Sequence, residues 1–191
     1  CSCKYKRDHN NCTPMIDPVT GFAYPDEWIC RVEKKDELTL VSEGRAVVTS
    51  SGTILRRGIT TGSTAAAAAK AATLSLRRTV REVDILLPCD IRVNVPVTGE
   101  GGCGSAVKDP GDYPGDRTAG LLFRAEAHED EEITLHAGEG IGRFFRDTPR
   151  YAEGEPAISP PARNCILTAI KEALEETGLS GVSVTISVIG G

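Results

Sequence analysis

The chain has 191 residues, with 27 acidic against 22 basic side chains and a formal net charge of −5. That balance argues against bulk nucleic-acid binding, which needs a basic face, and no apolar run reaches the length of a membrane-spanning helix. Hydrophobic residues make up 40% of the chain but aromatics only 5%, so a core can form and must be filled by aliphatics and alanine.

The first segment, "CSCKYKRDHNNC", is polar and lacks the apolar centre of a signal peptide, so a cytoplasmic location is expected. Seven cysteines, odd in number and irregularly spaced, disfavour a secreted disulfide framework. Cys1, Cys3, His9 and Cys12 lie close in sequence but match no common zinc spacing, and no metal site is assigned. Met15 is the only methionine, which makes it a candidate native start. Residues 1–27, rich in Pro, Asp, Asn and Gly, read as an irregular arm, and residues 28–191 as one α+β domain.

"WICRVEKKDELTLVSE" mixes charged and apolar residues and suits a short helix. "RAVVTSSGTILRRG" reads as two short strands around Ser51-Gly52. Ala65 to Arg78 is built of strong helix formers, with Thr61, Ser63 or Thr64 as the N-cap. "REVDILLP" is a strand ended by Pro88, and "IRVNVPV" a second one, at an edge or ending where Pro96 falls. The glycine-rich stretch from Gly99 to Gly120 reads as one long loop. "LLFRAEAH" and "EITLHAG" are strands separated by an acidic turn, and a second Gly/Pro/Arg loop follows. After Pro160-Pro161, Ile166, Leu167, Ile170, Ala173 and Leu174 follow helical spacing up to a stop at Gly178. "VSVTISVI" then alternates as a strand. Strands in succession rather than in alternation with helices predict α+β: a mainly antiparallel or mixed sheet with two packed helices, not a Rossmann fold.

Several segments carry candidate chemistry. The start of the alanine helix, Thr60, Thr61, Gly62 and Ser63, offers amides and hydroxyls to an anion, or is simply a tightly packed helix end. "GEGIGR" lets a ligand approach the backbone closely, but no helix follows to make a dinucleotide fingerprint, and a plain turn is the alternative. Lys108, Asp109, Asp112 and Asp116 form a charged loop whose clustered carboxylates suit a metal or base chemistry, or are a solvated acidic surface. Arg143, Arg146, Arg150 and Arg163 flank one helix and suit a polycarboxylate, or are surface charge. His128 and His136 have no evident partner, and no catalytic triad appears.

Three of these segments, "LRRGITTGSTAAAAAKAA", "SAVKDPGDYPGDRTAG" and "GEGIGR" with "GEPAISPPAR", resemble in order the signature blocks of the CbiD family, the cobalt-precorrin-5B C(1)-methyltransferases of anaerobic cobalamin biosynthesis. Family members commonly carry Cys where Thr64 stands and Asn where Ser159 stands. The resemblance implies about the N-terminal half of such a protein, cut short at its C-terminus. It implies methyl transfer from S-adenosylmethionine to a ring carbon of a tetrapyrrole, with cobalt present only as part of the substrate. It assigns Asp109 and Asp112 to catalysis. Thr60, Thr61, Gly62, Ser63, Lys108, Arg143, Arg146 and Arg163 fall to substrate, and Gly138, Glu139, Gly140 and Gly142 to the methyl donor. The expected partner is the tetrapyrrole, without nucleic acid or membrane, and a homo-oligomer stays open. The alternatives are a non-catalytic corrinoid-binding or assembly protein, or a metal-binding N-terminal module.

Overall fold

A computed structural model describes residues 14–190. They form two compact units: one built on residues up to Gly58 together with Pro110–Asp116, the other on Ile59–Asp109 and Arg117 onward.

The first unit is small. It holds helix α1 (Asp26–Arg31), a 3-10 turn (Lys35–Glu37), helix α2 (Leu38–Ser42) and the hairpin β1 (Ala46–Val48) and β2 (Ile54–Arg56). Its core is Tyr24, Val32, Val41, Ala46 and Val48, with Met15 and Trp28 packed against it. The arm expected to be irregular is pinned by one buried carboxylate. Asp17 accepts from the Val19 amide, from the Thr20 hydroxyl and from the Arg57 guanidinium. Burial pushes the Asp17 carboxyl upward, but these donors together hold it below the ordinary carboxylate range.

The second unit contains helix α3 (Thr61–Ser75), strands β3 (Val80–Leu86), β4 (Arg92–Glu100), β5 (Cys103–Val107), β6 (Leu122–Asp130) and β7 (Ile133–Ala137), helix α4 (Pro160–Thr177) and strand β8 (Gly181–Ile189). The six strands lie in the order β3-β4-β5-β6-β8-β7. All pairs are antiparallel except β7 with β8, which is parallel. This is the mixed sheet with two packed helices expected for an α+β chain.

The alanines of α3 have a packing reason. Every residue from Ser63 to Ser75 is buried. On one side α3 lies against the sheet, where Ala106, Ala125 and Ala127 keep the surface low; on another it meets α4. A Cβ on Gly104 would strike the Ala68 carbonyl and the Ala72 amide, and one on Gly99 would sit 2.9 Å from the Ala71 oxygen. Strand and helix backbones thus approach to a distance that only glycine permits. Helix α4 is amphipathic. Cys165, Ile166, Ala169, Ile170, Ala173 and Leu174 are buried, and the helix ends at Gly178 with φ of 69°, the left-handed turn that glycine favours.

Strand β5 corrects the sequence reading, which placed Cys103–Val107 inside one long loop. Its run Cys-Gly-Ser-Ala-Val has no apolar alternation to announce a strand, because α3 presses on its inner face. Pro96 lies within β4, opposite Glu82 of β3; the pairing with β5 starts one residue later, at Val97. Among the described residues, no helix is long and apolar enough to cross a membrane.

Candidate functional site

The register of the sheet gathers the signature segments at one end of the second unit. Val107, the last residue of β5, is opposite Leu122, the first of β6. Leu122 in turn is opposite Ile189, the last of β8, and Ala137 at the end of β7 pairs with Ile186. Lys108 and Asp109 after β5 and Gly138–Gly142 after β7 therefore leave the sheet at the same end.

The start of α3 is tied to that end by the Ile59 amide, which donates to the Asp109 carbonyl at 3.1 Å. Thr60 is the N-cap: its hydroxyl accepts from the Ser63 amide at 3.1 Å. This is one residue earlier than the candidates drawn from sequence. Thr60 and Thr61 are exposed and Ser63 is buried. A Cβ on Gly62 would sit 2.6 Å from the Cβ of Ala162, so the first turns of α3 and α4 touch. Ser159 caps α4 through a long contact to the Ala162 amide, 3.4 Å. Arg163 follows on that first turn, exposed, and its guanidinium makes no hydrogen bond or ion pair with the described residues.

Lys108 is 5% exposed, and its ammonium donates to the Asp109 carbonyl at 3.2 Å. Its main chain is fixed to Leu121 and Gly120 by two bonds of 2.9 Å. Asp109 is exposed. Asp112 belongs to the other unit. There its carboxylate accepts from the Arg56 amide at 2.8 Å, and its own amide donates to the Arg56 carbonyl at 3.0 Å. Two acids three positions apart in sequence thus stand in different units, and Asp112 acts as a brace for the β2 end.

The glycine loop makes its closest approach to its own sheet. Gly138 donates to the Ile186 carbonyl, and the Val188 amide donates to the Glu139 carbonyl. Gly140 has φ of 75°, and a Cβ there would strike the Val188 oxygen. Glu139 and Gly142 are exposed, and Gly142 has only Ala157 nearby, at 3.8 Å. Arg143 is committed to carbonyls, those of Gly154 at 2.8 Å and Ala137 at 3.3 Å. Beyond it, Phe144 stacks on Tyr151, and the Arg146 guanidinium lies over the Phe145 ring, 5.3 Å from its centre.

Sequence reasoning passed over two features. Cys165 is buried and donates to the Leu86 carbonyl at 3.5 Å. Burial pushes its thiol upward against the opposing effect of a hydrogen bond with Ser63, so that thiol stays protonated under the α3–α4 junction. The second feature is a charged groove of about 720 Å³ between α3, α4, β3 and β4. At its floor the buried Lys70 binds Glu172 at 2.6 Å and the Asp84 carbonyl at 3.0 Å, and Arg92 binds the same Glu172 at 2.7 Å. None of the signature-block candidates for ligand binding lines it. Lys70, Arg78, Arg92, Glu172 and Glu176 pair with one another there and staple both helices to the sheet. A lysine inside an alanine run was the available signal. Among the described residues no cluster of three or more His, Cys, Asp or Glu could hold a metal; Cys1, Cys3, His9 and Cys12 lie outside them.

The α+β unit thus brings glycine, hydroxyl and arginine segments together at one sheet end, without a doubly wound sheet. The CbiD family model matches residues 48–191, and the chain belongs to the CbiD family. It is 58% identical over 174 residues to a cobalt-precorrin-5B C(1)-methyltransferase of Methanospirillum hungatei, covering 90% of this chain and 52% of that protein. A protein of the same name from Methanoregula boonei is 52% identical over 175 residues, covering 91% and 52%. The structure also matches that of a cobalamin biosynthesis protein, cbiD, from Archaeoglobus fulgidus, with a TM-score of 0.76 and 36% identity, over 93% of this chain and 57% of that one. The chain spans about half the length of the curated relatives it matches.

Proposed function

We propose that this chain takes part in methyl transfer from S-adenosylmethionine to the C-1 ring carbon of cobalt-precorrin-5B. The observation that carries the reading is the convergence of Thr60–Ser63, Lys108–Asp109, Glu139–Gly142 and Arg163 on one end of the sheet, in a chain so similar to proteins named for that reaction. In such a transfer an electron pair of the ring carbon forms the new C–CH3 bond as the sulfonium S–CH3 bond breaks, leaving S-adenosylhomocysteine. The protein must align donor and acceptor and keep water out. No covalent nucleophile is required.

The roles follow from where each side chain stands and how exposed it is. Arg163 and Arg146, without ion pairs, take the peripheral carboxylates of the macrocycle, for which the planar guanidinium is suited. The exposed Thr60–Thr61 turn meets a further anionic group at the start of α3. Asp109, exposed beside that turn, takes up the proton lost from the ring. Donor contacts fall on Glu139 and Gly142, because Gly138 and Gly140 are pressed against β8. Arg143 and Asp112 hold backbone in place and act only through it.

The test is incubation with methyl-labelled S-adenosylmethionine and cobalt-precorrin-5B, followed by mass spectrometry. One methyl added to the macrocycle supports the reading. Tight binding of the macrocycle with no label transferred supports a corrinoid-binding protein instead, and neither binding nor transfer removes both.

A further inference from the structure

The two faces of the six-stranded sheet differ. Toward the helices, β6 and β8 present Phe123, Ala125, Val182, Val184, Ile186 and Val188, all buried. The opposite face is polar in successive cross-strand rows, Ser105–Arg124–Ser187 and Cys103–Glu126–Thr185. That is the ordinary pattern of an antiparallel sheet with one solvated side.

One row breaks it. Val107, Leu122 and Ile189 are direct cross-strand neighbours, and each alternates with a residue that points to the helices. Val107 is 54% exposed and Ile189 45%, with Leu122 half-buried between them. Single exposed aliphatics are common. Three in register at adjacent strands make a continuous apolar strip about 10 Å long. It lies at the sheet end where the candidate site converges: Val107 precedes Lys108, and Val188, before Ile189, bonds Glu139.

We infer that this strip is an internal docking surface of CbiD polypeptides, seated by apolar side chains from the part of the polypeptide outside the stretch matched here. The matched stretch is 52% of the M. hungatei relative and 57% of the A. fulgidus chain, so about as much polypeptide again must pack somewhere. The strip offers it an apolar seat on an otherwise hydrated face. Docking there also walls off the sheet end from water. The inference rests on family membership and strip geometry and does not depend on the reaction.

The experiment compares one set of substitutions in two proteins. In this chain, the combined Val107→Thr, Leu122→Thr, Ile189→Thr variant puts a strand-compatible β-branched residue at each position and removes apolar surface that is exposed or half-buried, so its Tm should move by no more than about 2 °C. In the full-length M. hungatei relative, threonine at the three aligned positions should lower Tm by more than about 6 °C, as expected for buried aliphatics. Equal Tm shifts in the two proteins, or polar residues already present at the aligned positions, would overturn the inference.

Discussion

Gly104→Ala tests why α3 is made of alanine. The added methyl would meet the Ala68 carbonyl and the Ala72 amide, both backbone atoms of a helix that is buried along its length. A flexible side chain could move aside, but this backbone is held by α4 and by its own hydrogen bonds. Overpacking a tight core costs about 1–3 kcal/mol. Alanine ordinarily gains about 0.5–1 kcal/mol over glycine in a strand, which offsets part of that. A net loss of about 1 kcal/mol should lower Tm by on the order of 2–4 °C in a chain of this size. The control is Gly142→Ala, where the nearest atom is Ala157 Cβ at 3.8 Å and φ is not positive; it should leave Tm unchanged or slightly raised. Both are read by circular dichroism melting and urea unfolding. A Gly104→Ala protein that melts at or above the wild-type temperature would show that α3 can retreat and that the alanine packing argument is wrong.

Three further outcomes are expected. Glu172→Gln should cost about 1–3 kcal/mol at neutral pH, because Lys70 keeps only the Asp84 carbonyl and a 3.9 Å approach to Glu176. The Glu172 carboxyl is held below its ordinary value of 4.5, chiefly by the Arg92 hydrogen bond and then by Lys70. Its stabilisation is therefore complete above that value and lost as pH falls through the lower folded value, so the variant should unfold less steeply in acid; an unchanged acid limb would count against the network. Cys165 should resist alkylation in the folded protein and react only on unfolding, whereas the exposed Cys103 should react at once, as peptide mapping after iodoacetamide would report. Asp112→Asn should lower Tm by a few degrees and leave tetrapyrrole affinity unchanged, since its carboxylate serves the Arg56 amide; a selective affinity loss would restore it to the site.

Local patterns carried much of the fold. The alanine run, the Pro-Pro start and Gly178 stop of α4, and the alternation of β8 were all legible, because helix propensity, capping and a two-residue period are written within a few positions. Strand β5 was not, since its glycine answers to a helix backbone more than thirty residues upstream. The same locality misdirected parts of the site. The glycines after β7 promised room for a ligand, yet the nearest body is β8, almost fifty residues on. Asp112 read as a candidate base, and its partner is the Arg56 amide, more than fifty residues upstream. Arg143 read as free charge, and its partners are carbonyls that no charge pattern announces.

The central claim, that the convergent sheet end binds the macrocycle, is tested most directly by titrating cobalt-precorrin-5B into the wild-type chain, Arg163→Ala and Arg92→Ala. Arg163 stands at the site and Arg92 in the charged groove, which none of the proposed binding residues lines. A charged hydrogen bond is worth about 1.5–3 kcal/mol, so Arg163→Ala should weaken binding at least about tenfold while Arg92→Ala binds as wild type. Equal affinity in the wild-type and Arg163→Ala proteins, or a loss confined to Arg92→Ala, would contradict the account.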